Sequence, residues 1–209
     1  MEWIGGLALL VAAYSVAAVP WGIVLGKYFS GIDLRSYGSK SIGTTNALRV
    51  LGWRISIAVF VLDFLKGLIP VVLARSFGLS DWMVALIGVV TVAGHCWSPY
   101  IRFKGGKGMA TGAGVAFGLF PWLLALIPIM VIVVALTKYV SLGSILTSVL
   151  ASALVLVIAI KGDASWAFWI AITGISAIIL YKHRANIQRL IKGTENRLGQ
   201  SAAPSTTGR

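Results

Sequence analysis

Three short segments hold most of the residues able to act on a charged substrate. The first, GSKSIGTTNALR from Gly38 to Arg49, sets glycines, including Gly43, among Ser39, Ser41, Thr44, Thr45 and Asn46 and ends on a guanidinium. Glycine permits positive φ and close backbone approach, so hydroxyl, amide and N–H donors around such a loop can form an anion-binding nest, with Arg49 clamping a phosphate bidentately. The same residue types also suit an ordinary polar loop with a helix cap at Thr45 or Asn46. The second segment, FKGGKGMATG from Phe103 to Gly112, places Lys104 and Lys107 around Gly105 and Gly106 at the expected start of a helix. Free N–H groups and the positive end of the helix dipole attract anions there. It is not a nucleotide-binding P-loop, because Ile101 stands where that motif's first glycine belongs and Gly108 replaces its hydroxyl residue. Lysines retained beside a flexible turn by topology alone are the plainer alternative. The third segment, YKHRANIQRLIKGTENR from Tyr181 to Arg197, reads as a helix ending near Gly193. His183 and Asn186 are three apart and share a face, with Arg189 three further on. A juxtamembrane helix resting on anionic lipid would carry the same basic residues.

Other polar residues have structural readings. Asp63 and Lys66 are three apart inside an apolar run, where an unpaired charge costs at least about 2.5 kcal/mol, so a mutual ion pair near the inner boundary or a bundle-facing contact is expected. His95 and Cys96 have no partner at metal-ligand spacing, and a single cysteine excludes an intrachain disulfide. Ser141 suits a helix cap or a donor into the site. The chain shows no compact Ser-His-Asp or Cys-His arrangement and no HxxxxD pair, so a covalent acyl-enzyme is not indicated. Three cationic, donor-rich segments backed by apolar walls suit a phosphorylated polar substrate together with a lipidic one.

The elements that must position these segments are membrane helices. With 58% hydrophobic and 11% charged residues, the chain lies far from a soluble composition of roughly a quarter charged. Apolar runs near Ile4–Gly26, Trp53–Ala74, Trp82–Pro99, Met109–Phe120, Trp122–Thr137, Leu142–Ile160 and Trp166–Tyr181 predict an all-α polytopic protein of about seven transmembrane helices. The fourth and fifth runs are short and separated by Pro121, which also allows a hairpin or a broken, re-entrant pair. Lys27, Arg35, Lys40, Arg49, Arg54, Arg102, Lys104, Lys107, Lys138, Lys182, Arg184, Arg189, Lys192, Arg197 and Arg209 fall on one side of this arrangement. The positive-inside bias therefore puts the N-terminus outside and the C-terminus in the cytoplasm, and it accounts for the net charge of +12 without nucleic acid. Residues 1–200 read as a single integral-membrane domain, and Ser201–Arg209 as a disordered polar tail. Pairs such as Gly22/Gly26 and Gly114/Gly118 have the small-xxx-small spacing of close helix packing.

The three segments together resemble the bacterial acyl-phosphate:glycerol-3-phosphate acyltransferase family: GSKSIGTTNALR, then GHCWSPYIRFKGGKGMATG, then KHRANIQRLIKGTEN, in the family's order and between matching spans. The resemblance runs from Ile4 to Asn196. It implies a seven-helix enzyme of the inner membrane, with its active site facing the cytoplasm, that acylates the 1-hydroxyl of glycerol 3-phosphate from acyl phosphate. It also implies that Ser39 and the first segment's glycines cradle the acyl phosphate, that Arg49 holds a phosphate, and that Lys107 with Gly105, Gly106 and Gly108 forms a second phosphate site. His183, Asn186 and Glu195 match the third segment's functional positions, and Ser141 matches a usual serine. The family's Gly-Asn-Pro is replaced by Lys40, Ser41 and Ile42, and its Phe-Pro by Trp97 and Ser98. The implied chemistry needs neither cofactor nor metal. A transporter or channel for a phosphorylated metabolite is the rival reading from another class.

Overall fold

The computed structural model describes residues 2–200, so the tail expected at Ser201–Arg209 lies outside the described residues. Its elements are helices: α1 (Glu2–Ala17), α2 (Trp21–Ser30), α3 (Thr44–Leu51), α4 (Trp53–Ser76), α5 (Asp81–Cys96), α6 (Met109–Leu119), α7 (Leu126–Thr137), α8 (Val140–Ile160), α9 (Trp166–Lys182) and α10 (Arg184–Ile191), with short 3-10 turns between some of them. Large apolar side chains such as Leu7, Ile57, Ile69, Val131, Leu136 and Val157 face outwards, as a lipid solvent allows and water does not.

Three stretches, Trp53–Ser76, Asp81–Ile101 and Val140–Ile160, are long and apolar enough to cross a bilayer, and two bent pairs, α1 with α2 and α9 with α10, bring the number to five. The expected first span is therefore two helices, bent by 40°. Pro20 lacks an N–H and stops α1 from continuing, although the apolar run does not pause. The runs expected as fourth and fifth spans are helices of 11 and 12 residues joined through a 3-10 turn at Pro121–Ala125. At about 1.5 Å per residue each is shorter than a hydrocarbon core of roughly 30 Å.

The break before α2 frees backbone carbonyls, and the expected ion pair of α4 serves one of them. Lys66 Nζ lies 2.7 Å from Asp63 Oδ1 and donates to the Val19 carbonyl at 2.9 Å. Packing centres on α4 against α6, on α5 between α1, α4 and α9, and on α8 between α7 and α9. Gly67 and Gly114 let the backbones of α4 and α6 touch, since a methyl on either would run into the Thr111 or Phe64 carbonyl. The α4–α6 pair and the α7–α8 pair both contribute walls to one cavity.

Candidate active site

That cavity, of about 430 Å³, is walled by residues of all three segments. From the first come Ser39, Gly43, Thr44, Thr45, Asn46 and Arg49; from the second, Lys107 and Gly108; from the third, His183, Asn186 and Glu195; Ser141 joins them from the start of α8. Behind this polar end the lining turns apolar, with Phe64, Phe117, Leu123, Met130, Ile172 and Ile175.

The first segment is built by Asn46. Its Oδ1 accepts from the Ser39 N–H at 2.9 Å, and its amide donates to the carbonyls of Leu34, Tyr37 and Ser41 at 3.1, 3.1 and 2.8 Å. The buried amide is thus spent within the loop, leaving Asn46 the loop's scaffold rather than a free donor. Lys40 takes φ 56° where the resemblance leads one to expect glycine, so the loop's shape is kept at the expense of strain. The helix cap falls on Gly43, not Thr45 or Asn46, and no side chain satisfies the first N–H groups of α3. The start of α6 is alike: Gly108, at φ 84°, is the cap and brings no side-chain hydrogen bond. Two uncapped helix N-termini therefore open on one cavity, each a ready site for an anion.

Charge points the same way. Burial pulls the Lys107 ammonium down to about 8, against the attraction of Glu195 and with help from Arg189 and Arg49. Arg49 is half-buried; its Nη2 makes only 3.4 Å contacts to the carbonyls of Asn196 and Arg197, and its Nε has no partner among the described residues. Glu195 is already engaged: Oε1 accepts from Ser141 Oγ at 2.9 Å and Asn186 Nδ2 at 2.6 Å, and Oε2 from Arg189 Nε at 2.7 Å. Because Glu195 pairs with Arg189 and Asp63 with Lys66, Lys107 and Arg49 have no salt-bridge partner among the described residues, and their charges are open to a ligand. His183 Nδ1 lies 2.9 Å from the Ile179 carbonyl, a contact that requires the proton on Nδ1 and leaves Nε2 as an acceptor. Burial, then the nearby Lys107 cation, lowers the imidazole to about 4, so it is neutral at physiological pH.

Lys104, Gly105 and Gly106 are not brought into the cavity wall. Lys104 is exposed, and the two glycines lie against His95 and Cys96, where their missing side chains serve packing. Among residues not assigned to the site from sequence, Asp63 and His95 reach the wall, and Ser144, Thr147 and Ser148 continue the Ser141 stripe along α8. Their spacing of three, six and seven residues from Ser141, steps of three and four along one helix face, was the available signal.

The family model for glycerol-3-phosphate acyltransferase matches residues 7–193. A glycerol-3-phosphate acyltransferase of Parasynechococcus marenigrum is 40% identical over 94% of this chain and 91% of its own length. One from Thermus thermophilus is 42% identical over 91% and 94%. The crystal structure of PlsY (YgiH), an integral membrane glycerol 3-phosphate acyltransferase, in its glycerol 3-phosphate form is similar at a TM-score of 0.86 with 38% identity, covering 93% of this chain and 96% of that one. Its lysophosphatidic acid form gives a TM-score of 0.84 with 36% identity over the same shares.

Proposed function

The chain belongs to the glycerol-3-phosphate acyltransferase family, and from that premise we propose that it moves the acyl group of an acyl phosphate to the 1-hydroxyl of sn-glycerol 3-phosphate, releasing orthophosphate and lysophosphatidic acid. The observation that carries this is the join within one cavity of a polar end bearing two surplus cations and two free helix N-termini to an apolar remainder. A phosphate fits the first part and an acyl chain the second.

In this reading Lys107 and the N-terminus of α6 hold one phosphate, and Arg49 with the Ser39–Thr45 loop holds the other. The glycerol hydroxyl oxygen attacks the acyl carbon, the bond to the phosphate oxygen breaks, and the hydroxyl proton ends on a phosphate oxygen. A mixed anhydride has a good leaving group, so positioning and preorganised donors supply most of the rate. An imidazole at about 4 is a weak base. His183 Nε2 therefore serves to accept and orient the hydroxyl, and Asn186 to donate beside it. Glu195 and Ser141 are positioning residues that hold Asn186. No step in this scheme calls on a metal or cofactor.

For topology we propose seven crossings, with the bent pair α1–α2 counted once and the short α6 and α7 each passing through, the N-terminus outside, and the basic loops and α10 at the cytoplasmic face of the inner membrane. Charge segregation supports that orientation.

The test is lysophosphatidic acid formation by purified protein from labelled glycerol 3-phosphate, with acyl phosphate, acyl-CoA and acyl-carrier protein offered separately and no added metal. Product only with acyl phosphate is expected. Equal product from acyl-CoA would refute the donor, and no product from folded protein would move the reading to transport, tested by uptake into liposomes.

A further inference from the structure

The turn that leads into Lys107 rests on a buried polar side chain that the scheme above does not use. His95, in the last turn of α5, is 4% exposed. On one side its Nδ1 faces Asp63 Oδ1 at 3.7 Å, and that oxygen is held by Lys66 at 2.7 Å. Lys66 is tied in turn to the Val19 carbonyl in the α1–α2 break. On the other side the ring lies flush with Gly106, where a methyl group would overlap Nε2, and the Gly106 N–H donates to the His95 carbonyl at 3.1 Å. A methyl on Gly105 would overlap that same carbonyl. Two consecutive residues are thus pressed onto one histidine, immediately before Lys107 and Gly108.

We propose that His95, lodged between the Lys66–Asp63 pair and Gly106, is a positioning residue for the reaction: it sets the height of the Gly105–Gly106 turn and, through it, the place of the Lys107 ammonium and of the free N–H groups at the start of α6. The contact explains why the glycines stand there, since neither opens on the cavity. It also explains a buried ion pair that would otherwise serve only one backbone carbonyl. At 3.7 Å the carboxylate is beyond hydrogen-bond reach of Nδ1, which has no partner among the described residues, so the ring is held by being lodged between the ion pair and Gly106. The inference rests on the reading that Lys107 binds a substrate phosphate.

A double-mutant cycle tests it. In the acyl phosphate assay, His95→Ala and Gly106→Ala are each expected to lower kcat/KM by about ten- to a hundredfold, the range for an ångström-scale misplacement of a binding group, with the larger part in KM. His95→Asn, which keeps a planar polar side chain with part of the ring's bulk against the Gly105–Gly106 turn, recovers part of the His95→Ala loss. In the double variant the new methyl enters the space the ring has left, so activity is no lower than in the worse single variant. Penalties that multiply, or a His95→Ala enzyme within twofold of wild type in both constants, overturn the proposal. If His95→Ala does not yield folded protein, His95→Asn and Gly106→Ala decide it: a KM raised in neither also overturns it. Wild-type protein inactive with every donor would count against the acyl-transfer reading instead, because the His95 comparison needs an active wild type.

Discussion

Replacing Lys107 by methionine should cut acyl transfer by at least ten- to a hundredfold and raise thermal stability at the same time. The ammonium's acid constant sits at about 8 against an ordinary 10.5, and burial is the main cause. At about 1.4 kcal/mol per factor of ten, that gap costs the folded protein roughly 3 kcal/mol near neutral pH. Water reaching the partly buried side chain screens some of this, leaving about 2 kcal/mol. The sign follows from linkage. A lysine whose folded value lies below its unfolded one penalises the folded state below about 8 and no longer does so above 10.5. The methionine variant should therefore melt higher at pH 7, with the gain shrinking as pH rises through that window. A bound phosphate would offset the same cost in the wild type. Saturating glycerol 3-phosphate or orthophosphate at about a hundred times Kd should stabilise wild type by about 3 kcal/mol and the variant by much less. Lost charge-assisted contacts of roughly 1.5–3 kcal/mol to each substrate state translate into a ten- to hundredfold drop in kcat/KM, and more where the transition state gains charge. Thermal melts of detergent-solubilised protein at pH 7 and pH 10, run beside turnover assays, read both arms. A variant that melts lower than wild type at pH 7, or that keeps near-normal turnover, would refute the reasoning.

Four further outcomes follow from the same geometry. Wild-type kcat/KM should fall as pH rises through about 8, where Lys107 loses its proton, and Lys107→Arg should remove or displace that limb in a pH-rate profile. Arg49→Ala should abolish turnover in protein that still inserts and folds; near-normal rates would sink the phosphate clamp. Glu195→Gln leaves Arg189 unpaired and loosens Ser141 and Asn186, so kcat should drop by at least about tenfold with the protein still folded, by the scale of one lost charge-assisted contact. Lys40→Gly removes a non-glycine residue from φ 56°, and a melt should show stabilisation by about 1 kcal/mol with unchanged turnover.

The chemistry was more legible than the fold because polar residues in an apolar chain stand out, whereas breaks in apolar runs do not. His183 and Asn186 announced themselves by spacing alone, and both reach the cavity. Pro20 ends α1, yet Pro70 sits inside α4 without ending it, so proline by itself does not tell a break from a tolerated interruption. Tertiary contacts decide: the carbonyl freed beside Pro20 is taken by Lys66, from another helix. Gly105 and Gly106 show the same limit at the site. A glycine required for close approach to a phosphate and one required for close approach to a histidine look identical in sequence, and here the second holds. Asn46 fits a binding loop equally well as donor or as scaffold, and only its four contacts within the loop show which.

A site with a neutral imidazole and surplus cations is poorly made for taking protons and well made for holding phosphates. His183 is neutral because it is buried beside Lys107, and the same burial raises the cost of Lys107's own charge. Strengthening one role weakens the other: a histidine basic enough to deprotonate an alcohol at pH 7 would need either water or a free carboxylate beside it. Glu195, the acidic residue of the third segment, is turned away from that task by Arg189, Asn186 and Ser141. The arrangement is therefore economical only for a reaction whose electrophile arrives activated and whose departing group can accept the proton itself. An acyl phosphate meets both conditions. A thioester places no phosphate at the reacting centre for Lys107, Arg49 and the two helix N-termini to hold, and so the donor comparison also tests what the surplus cations are for.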